Sequence, residues 1–236
     1  MRLAVAVVAV VSLGVTAPVP AGQEPVGPRT VAPGFSVRPD GVLDIGPIWA
    51  EVNHYDAGWT IAQQHDRFRR DPTPPVPVSP RRGAAPTEVI RGELTTARGP
   101  ARLVERIEPA GGGIRYSVVF SSARPLPTNE LAAAFLLPLS AFAGKTLRLD
   151  GRPLVLPAAP RPRGQARILV KKNVREVILP MPTGALIVTG NFNFLVQDDR
   201  EWGDERYSMR LHFSPDSGRI STSRIDLRLT LDRARR

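Results

Sequence analysis

The chain has 236 residues, of which 42% are hydrophobic, 6% aromatic and 23% charged, and its formal net charge is +10. This length and composition suffice for one domain with a hydrophobic core and exclude a chain that is disordered throughout. Because cysteine is absent, disulfide bonds, cysteine catalysis and cysteine-ligated metal centres are excluded too. The 25 prolines and 20 glycines indicate many turns and few long helices.

Residues 1–21 have the pattern of a secretory signal peptide. Arg2 precedes an apolar run, Leu3–Val15, and the small residues of Ala17–Ala21 predict cleavage before Gly22. A membrane anchor is the alternative, but the run is shorter than the roughly 20 residues needed to span a bilayer. The sequence therefore predicts a secreted or periplasmic protein with no transmembrane segment after cleavage.

The positive charge does not indicate a nucleic-acid partner. The basic residues are almost all arginine, and they are spread along the chain instead of forming one stripe. An exported protein also meets little nucleic acid. An acidic polysaccharide or an anionic cell surface remains compatible with the charge.

The mature chain is predicted to contain one domain, preceded by a linker and followed by a short tail. Residues 22–34 are rich in proline and glycine and predict a flexible linker. Residues 35–231 carry the strand patterns, interrupted by a Pro/Arg-rich loop at 70–86 that cannot form a central strand or a helix. Residues 232–236 form a basic tail.

An aromatic cluster near the start of this domain is one candidate binding surface. It consists of Trp49, His54, Tyr55 and Trp59, with Asp56 between them. These side chains would either line a binding face or fill the core between two sheets. Buried tryptophan is common in β-sandwiches, which favours the core.

Short strands follow along the rest of the domain. Asp150-Gly151 between apolar runs predicts a hairpin. Leu131–Leu137 is ambiguous, because its alanines favour helix while its odd positions fit a strand; we expect a strand, followed by one helical turn at Ser140–Ala143. Gly190 within Leu186–Val196 predicts a bulge.

The two C-terminal apolar patterns, Tyr207–Phe213 and Ile225–Leu231, predict an antiparallel hairpin with one buried and one wet face. Ser208, Arg210 and His212 would lie on the wet face. About a dozen such short strands, joined by long Pro-rich loops, predict an all-β fold: an antiparallel β-sandwich of jelly-roll or immunoglobulin-like type.

The connection at residues 197–206 is the main candidate site, because it concentrates carboxylates, arginines and a tryptophan between two strands. In a saccharide site, Trp202 would stack on a sugar ring and the polar side chains would bind hydroxyls. The candidate ligand-binding residues are Trp202, Asp198, Asp199, Arg200, Glu201 and Asp204.

Two other interpretations of this connection stay open. Calcium, the only cofactor the sequence suggests, would be held by Asp198, Asp199, Glu201 and Asp204, although their spacing is not that of an EF-hand. Alternatively, these side chains cap turns and pair with each other in a solvated loop.

Catalytic motifs are weak, and no catalytic residue is assigned. The histidines at 54, 65 and 212 are isolated, and there is no Gly-x-Ser-x-Gly motif. Asp199 and Glu201 would share a face if their segment were extended, which is the only glycosidase-like pair suggested.

Two stretches resemble an accessory β-sandwich region of large secreted bacterial proteins, some of which are glycoside hydrolases. They are Pro127-Thr128-Asn129 through Phe142–Gly151, and Gln197–Arg200 through Trp202–Asp204, Arg206–Ser208 and Phe213–Pro215. The resemblance covers roughly 34–231 and implies a structural likeness without catalytic residues.

Three functions follow as hypotheses. The first is a non-catalytic exported module that binds carbohydrate or assists a glycan-degrading enzyme. The second is a secreted polysaccharide hydrolase or lyase. The third is a structural envelope or protein-interaction module, whose partner would be a cell-envelope component.

Overall fold

This computed structural model describes residues 27–72, 87–162, 168–213 and 218–233. The predicted signal peptide, most of the 70–86 loop and the last three residues of the tail lie outside the described residues. The fifteen strands within these ranges are β1 (Arg29–Ala32), β2 (Phe35–Val37), β3 (Leu43–Ile45), β4 (Ile48–Asp56), β5 (Ile61–Gln63), β6 (Phe68–Arg70), β7 (Glu88–Thr96), β8 (Gly99–Ala110), β9 (Gly113–Pro138), β10 (Thr146–Leu149), β11 (Arg152–Val155), β12 (Ile168–Met181), β13 (Gly184–Asp198), β14 (Arg206–His212) and β15 (Gly218–Arg233).

Helical structure in the same ranges is limited to three single turns. They are α1 (Gln64–Arg67), α2 (Leu139–Phe142) and a 3-10 helix at Asp199–Trp202. None of the helices in the part of the chain that the structure describes is long and apolar enough to cross a membrane.

The strands confirm the all-β class, and the pairings between them are antiparallel. They form one connected sheet and do not divide into two separate ones, so the sandwich architecture is not confirmed. Several strands are also longer than expected; β9 alone has 26 residues.

Strand β9 is the centre of the architecture. Its first part pairs with β8 and β15, and its second part pairs with β4 and β14. Strand β13 pairs with β15 near its start and with β14 near its end. The four strands β9, β14, β13 and β15 therefore close into a ring, around which the remaining strands are added.

One continuous cluster of buried apolar side chains forms the core. The predicted inward faces contribute to it: Ile114, Tyr116, Val118 and Phe120 of β9 are all fully buried. Burial of aromatic side chains of this size supplies a large share of the apolar area removed from water.

Local predictions made from turn chemistry and periodicity are confirmed. Asp150 and Gly151 both have positive φ and join β10 to β11 as a tight hairpin. Leu131–Leu137 is strand, within β9, and one helical turn follows it. Opposite Arg175, two residues of β13 replace one, which places a bulge at Gly190.

Two predictions of chain organisation are wrong. The C-terminal strands β14 and β15 do not form a hairpin with each other, because β14 pairs with β9 and β13 whereas β15 pairs with other segments of the same two strands. Within the predicted 22–34 linker, residues 29–32 form β1, which pairs with β2. The composition of the predicted linker therefore did not reveal this edge strand. Nη2 of Arg29 on the strand lies 2.6 Å from Oε1 of Glu88.

Candidate functional site

The two surfaces predicted separately meet at one cleft of about 430 Å³. Tyr55 and Trp59 reach it from the aromatic cluster, and Asp199, Trp202 and Asp204 reach it from the connection after β13. The segments are about 140 residues apart in sequence; β9 and β14 bring them together, because they lie between β4 and β13 in the sheet.

The floor of the cleft is the outward face of four neighbouring strands. It includes Asn53 of β4, Leu136 of β9, Ser208 of β14 and Gln197 of β13. Ser208 is directly paired with both Leu136 and Gln197. Since alternate residues of a strand point to the same face, these side chains form a mainly polar floor.

Small side chains on β9 make room for larger ones on this floor. Ala134 is directly opposite Arg210 on one side and Glu51 on the other, and Ala132 is opposite His212. Both alanines are fully buried. The alanine run, whose propensity suggested a helix, is therefore part of a central strand. Its small side chains leave space for the larger polar side chains on the neighbouring strands.

Trp59 projects from the hairpin between β4 and β5, where its side chain is 64% exposed. Its φ is +64°, a left-handed conformation that is costly for a bulky residue. The turn is held by Asp56, whose carboxylate accepts hydrogen bonds from the backbone N–H groups of Gly58 (2.8 Å) and Thr60 (2.9 Å). An exposed tryptophan in a strained conformation, held by a built turn, is a feature typical of binding sites.

Trp202 lies in the connection that follows β13, and its side chain is 54% exposed. It ends the 3-10 helix Asp199–Trp202, and Gly203 follows in the left-handed conformation with φ +85°. Trp59 and Trp202 are among the few large hydrophobic side chains exposed in the described ranges, and both line this cleft.

Asp199 anchors that helix to the floor. Its Oδ1 accepts hydrogen bonds from Nε2 of Gln197 at 2.9 Å and from Oγ of Ser208 at 3.1 Å. Burial raises the pKa of the Asp199 carboxyl, and these two hydrogen bonds offset part of that effect. The carboxylate thus positions the tryptophan loop and also lines the cleft.

Arg210 lies almost fully buried under the cleft. Its Nη1 donates to Oε2 of Glu130 at 3.1 Å, and its guanidinium lies 5.1 Å from the centre of the Tyr55 ring. Nε of Arg210 has no hydrogen-bond partner among the described residues. A buried donor without a partner is costly, and because this nitrogen is itself excluded from solvent, Arg210 supports the cleft from below.

Arg206 connects the cleft to Trp49. Its Nη2 donates to Oδ2 of Asp204 at 3.0 Å, and its guanidinium lies 5.8 Å from the centre of a Trp49 ring. Trp49 is partly buried, so it supports the edge of the cleft through Arg206. Both arginines of the lining are thereby neutralised by a carboxylate, and the cleft carries little net charge.

Asp198 and Arg200, predicted as ligand-binding, contact each other and nearby backbone groups and are not among the residues that line the cleft. Asp198 caps the 3-10 helix and its Oδ2 lies 2.6 Å from Nη2 of Arg200. The guanidinium of Arg200 also donates to the backbone carbonyl groups of residues 157–159, at 3.0 Å each. This pair fastens the loop after β11 to the site. Glu201 is exposed and does not contribute to the cleft lining.

His54, predicted on the aromatic surface, is buried in the core. Successive residues of β4 point to opposite faces, so His54 turns inward while Tyr55 turns to the cleft. The imidazole stacks on Phe120 at 5.7 Å, and its Nε2 lies 2.9 Å from Oγ1 of Thr128. Burial lowers the pKa of His54, which keeps the ring neutral.

The carboxylates considered for calcium, Asp198, Asp199, Glu201 and Asp204, do not converge. Within residues 27–72, 87–162, 168–213 and 218–233, no group of three or more His, Asp or Glu side chains is placed to hold a metal ion. Asp198 pairs with Arg200 and Asp204 with Arg206, so each already has its counter-charge.

Sequence reasoning missed the polar floor, although a signal for it was present. The alternation on β14 assigns Ser208, Arg210 and His212 to one outward face, which is the face they occupy. All three are nevertheless nearly excluded from solvent. Alternation identifies a face but does not show that neighbouring strands and loops enclose it.

Comparisons with known proteins leave the site to be interpreted from its chemistry. No family model matches the chain, and neither the curated proteins nor the solved structures contain a significant match.

Proposed function

We propose that this chain is an exported, non-catalytic module that binds carbohydrate through the cleft between Trp59 and Trp202. One observation supports the proposal most directly: two half-exposed tryptophans from distant segments line the same cleft, and the floor of that cleft is mainly polar. Aromatic faces pack against the apolar C–H faces of sugar rings, while a few placed polar groups bind the hydroxyls.

The charge balance of the cleft supports a neutral glycan over an acidic one. The guanidinium groups of Arg206 and Arg210 are paired with Asp204 and Glu130. An acidic sugar would have to compete with these carboxylates, whereas a hydroxyl only needs a polar group such as the amide of Gln63, which lines the cleft. The overall positive charge of the chain lies largely elsewhere.

The engagement of the carboxylates supports binding without cleavage. A glycosidase needs two carboxyl groups flanking the scissile bond. Asp199 is bonded to Gln197 and Ser208, and Asp204 is paired with Arg206. The pair suggested from the sequence, Asp199 with Glu201, does not meet in the cleft, because Glu201 is outside its lining.

The test is retention of the mature chain, residues 22–236, on insoluble or immobilised cellulose, xylan, mannan, chitin, pectin and alginate. We expect depletion of soluble protein by one neutral glycan, and a roughly tenfold weaker affinity after Trp59→Ala or Trp202→Ala. Val155→Ala, which removes an exposed apolar side chain from β11, is the control and should leave retention unchanged.

The other outcomes identify the alternatives. Release of reducing or unsaturated ends from any of these glycans would indicate a hydrolase or lyase. Absence of retention on every glycan would overturn the proposal and favour a protein-facing role in the cell envelope, as an interaction or structural module.

A further inference from the structure

A polar row continues from the cleft across the sheet. Its members are directly paired, strand to strand, in the order Asn173, Asn193, His212, Ala132 and Asn53. They belong to β12, β13, β14, β9 and β4. Because neighbouring strands are about 4.8 Å apart, the row spans about 19 Å. Ala132 is its only apolar member.

A second hollow lies at the far end of this row. It has a volume of about 240 Å³, and its lining includes Asn173, Asn191, Asn193 and His212. Asn53, at the near end of the row, lines the first cleft. The two depressions therefore lie on the same face of the sheet. Between them the row is covered, because Asn53, Ala132 and His212 are almost fully buried, so a ligand that occupies both depressions passes over this covered stretch.

Glu130 contacts one side chain from each of the two depressions. One carboxylate oxygen binds Nη1 of Arg210, under the first cleft, at 3.1 Å. The other lies 3.3 Å from Nε2 of His212, in the second hollow. Arg210 and His212 are two residues apart on β14 and point to the same face. A single buried carboxylate thus orients polar groups for both depressions.

We infer that the binding face extends from the tryptophan cleft to the asparagine hollow, and that its ligand is an internal stretch of polysaccharide several rings long. This inference rests on the proposed function. Each amide offers both a donor and an acceptor, which matches hydroxyl groups presented along a sugar chain. A site made for a single ring or a chain end would need only the first cleft.

Chain-length dependence of binding tests the inference. Oligosaccharides of increasing length are prepared from whichever glycan retains the protein, and their affinities are measured by calorimetry. We expect affinity to rise with length until the oligosaccharide reaches both depressions, which lie about 19 Å apart along the row. Asn193→Ala and Asn173→Ala should each weaken binding of long oligosaccharides about 3- to 10-fold and leave the shortest binding oligosaccharide unaffected.

Two variants guard against a folding artefact. Asn173 is exposed, so Asn173→Ala tests the hollow even if Asn193→Ala disturbs the sheet. Ser117→Ala, at an exposed hydrogen bond to Asp226 elsewhere in the sheet, should change neither affinity.

The possible failures are distinguishable. Equal affinity for short and long oligosaccharides, still dependent on Trp59, would overturn the extended face and leave the carbohydrate cleft standing. An asparagine variant that weakens short and long ligands equally would overturn it as well. Absence of binding at every length would overturn both proposals.

Discussion

The indole of Trp59 meets the ring of Tyr55 edge to face, with ring centres 6.1 Å apart. This contact joins an exposed tryptophan on a turn to a residue held rigidly in β4. The geometry suits a stacking platform, because the exposed ring keeps a defined orientation while its backbone remains in the left-handed region.

Trp59→Gly and Trp59→Ala should separate stability from binding. Both variants remove the indole, so both should weaken glycan affinity by the same roughly tenfold factor. Only glycine relieves the positive φ, and we expect Trp59→Gly to be more stable than Trp59→Ala by about 1–2 kcal/mol. Urea unfolding measures the difference; equal stability would show that the turn is not strained.

Glu130→Gln should destabilise the protein by about 3–5 kcal/mol, because it leaves the buried guanidinium of Arg210 without its counter-charge. The double variant Glu130→Leu/Arg210→Met removes both charges and should recover much of that loss. Thermal unfolding of the single variants Glu130→Leu and Arg210→Met and of the double variant measures this coupling. A double variant that loses the sum of the single effects would show that the pair is not coupled.

Glu130 also predicts a loss of stability in acid. Burial alone would raise its pKa, but the close contact with His212, whose Nε2 lies 3.3 Å from Oε1, and the charge of Arg210 outweigh burial and lower it. A carboxyl with a lowered pKa stabilises the fold above its unfolded value of about 4.3, and this stability is lost as pH falls through the folded pKa. Glu130→Gln should reduce the dependence of unfolding free energy on pH in this acidic range.

For Glu105 we expect the opposite effect: the free energy of unfolding falls as the pH rises. It is fully buried, accepts a hydrogen bond from Nε2 of Gln64 at 2.6 Å, and burial raises its pKa to about 8. The folded state therefore holds a proton that the unfolded state releases above about pH 4.3, so stability falls as pH rises from there to about 8. The total loss is about 3–5 kcal/mol.

Unfolding of wild type and Glu105→Gln by urea at pH 5 and pH 9 measures this loss. The glutamine variant imitates the protonated acid and should lose much less stability at pH 9. His65 contributes a smaller loss of the same sign, since its hydrogen bond to Glu51 raises its pKa. The difference between the two proteins isolates Glu105, and parallel pH profiles would contradict the prediction.

Arg200→Lys should lower the free energy of unfolding by about 1–3 kcal/mol. A lysine cannot reproduce the guanidinium contacts to Asp198 and to three backbone carbonyl groups. Thermal unfolding measures the effect, with Arg152→Lys on an exposed strand position as the control. Reduced glycan affinity with unchanged stability would restore Arg200 to the ligand-binding set.

Local structure was predictable wherever one physical rule decided it. The Asp150-Gly151 turn follows from positive φ, and the inward face of β14 follows from alternation. Pairing partners were not predictable in the same way. Tyr207–Phe213 and Ile225–Leu231 look like a hairpin because they are adjacent in sequence, but alternation says nothing about which strand lies alongside.

The candidate site was predictable in its parts and not in its assembly. Trp202 and Asp199 follow from the unusual composition of one connection, and Tyr55 and Trp59 from another. Their meeting depends on long-range pairing through β9. His54 and Arg200 were assigned to the ligand for their chemistry alone, whereas strand direction and nearby carbonyl groups determine what each one contacts.

The ring of strands has a consequence for how the chain folds. Ser117 of β9 and Asp226 of β15 bond across 109 residues, so the ring closes only after β15 has been synthesised. Pairing between segments that lie so far apart in sequence raises the contact order of the fold, and a high contact order is associated with slow folding. Until then the apolar face of β9 lacks its partner, so a chain that pauses at this stage is prone to aggregate.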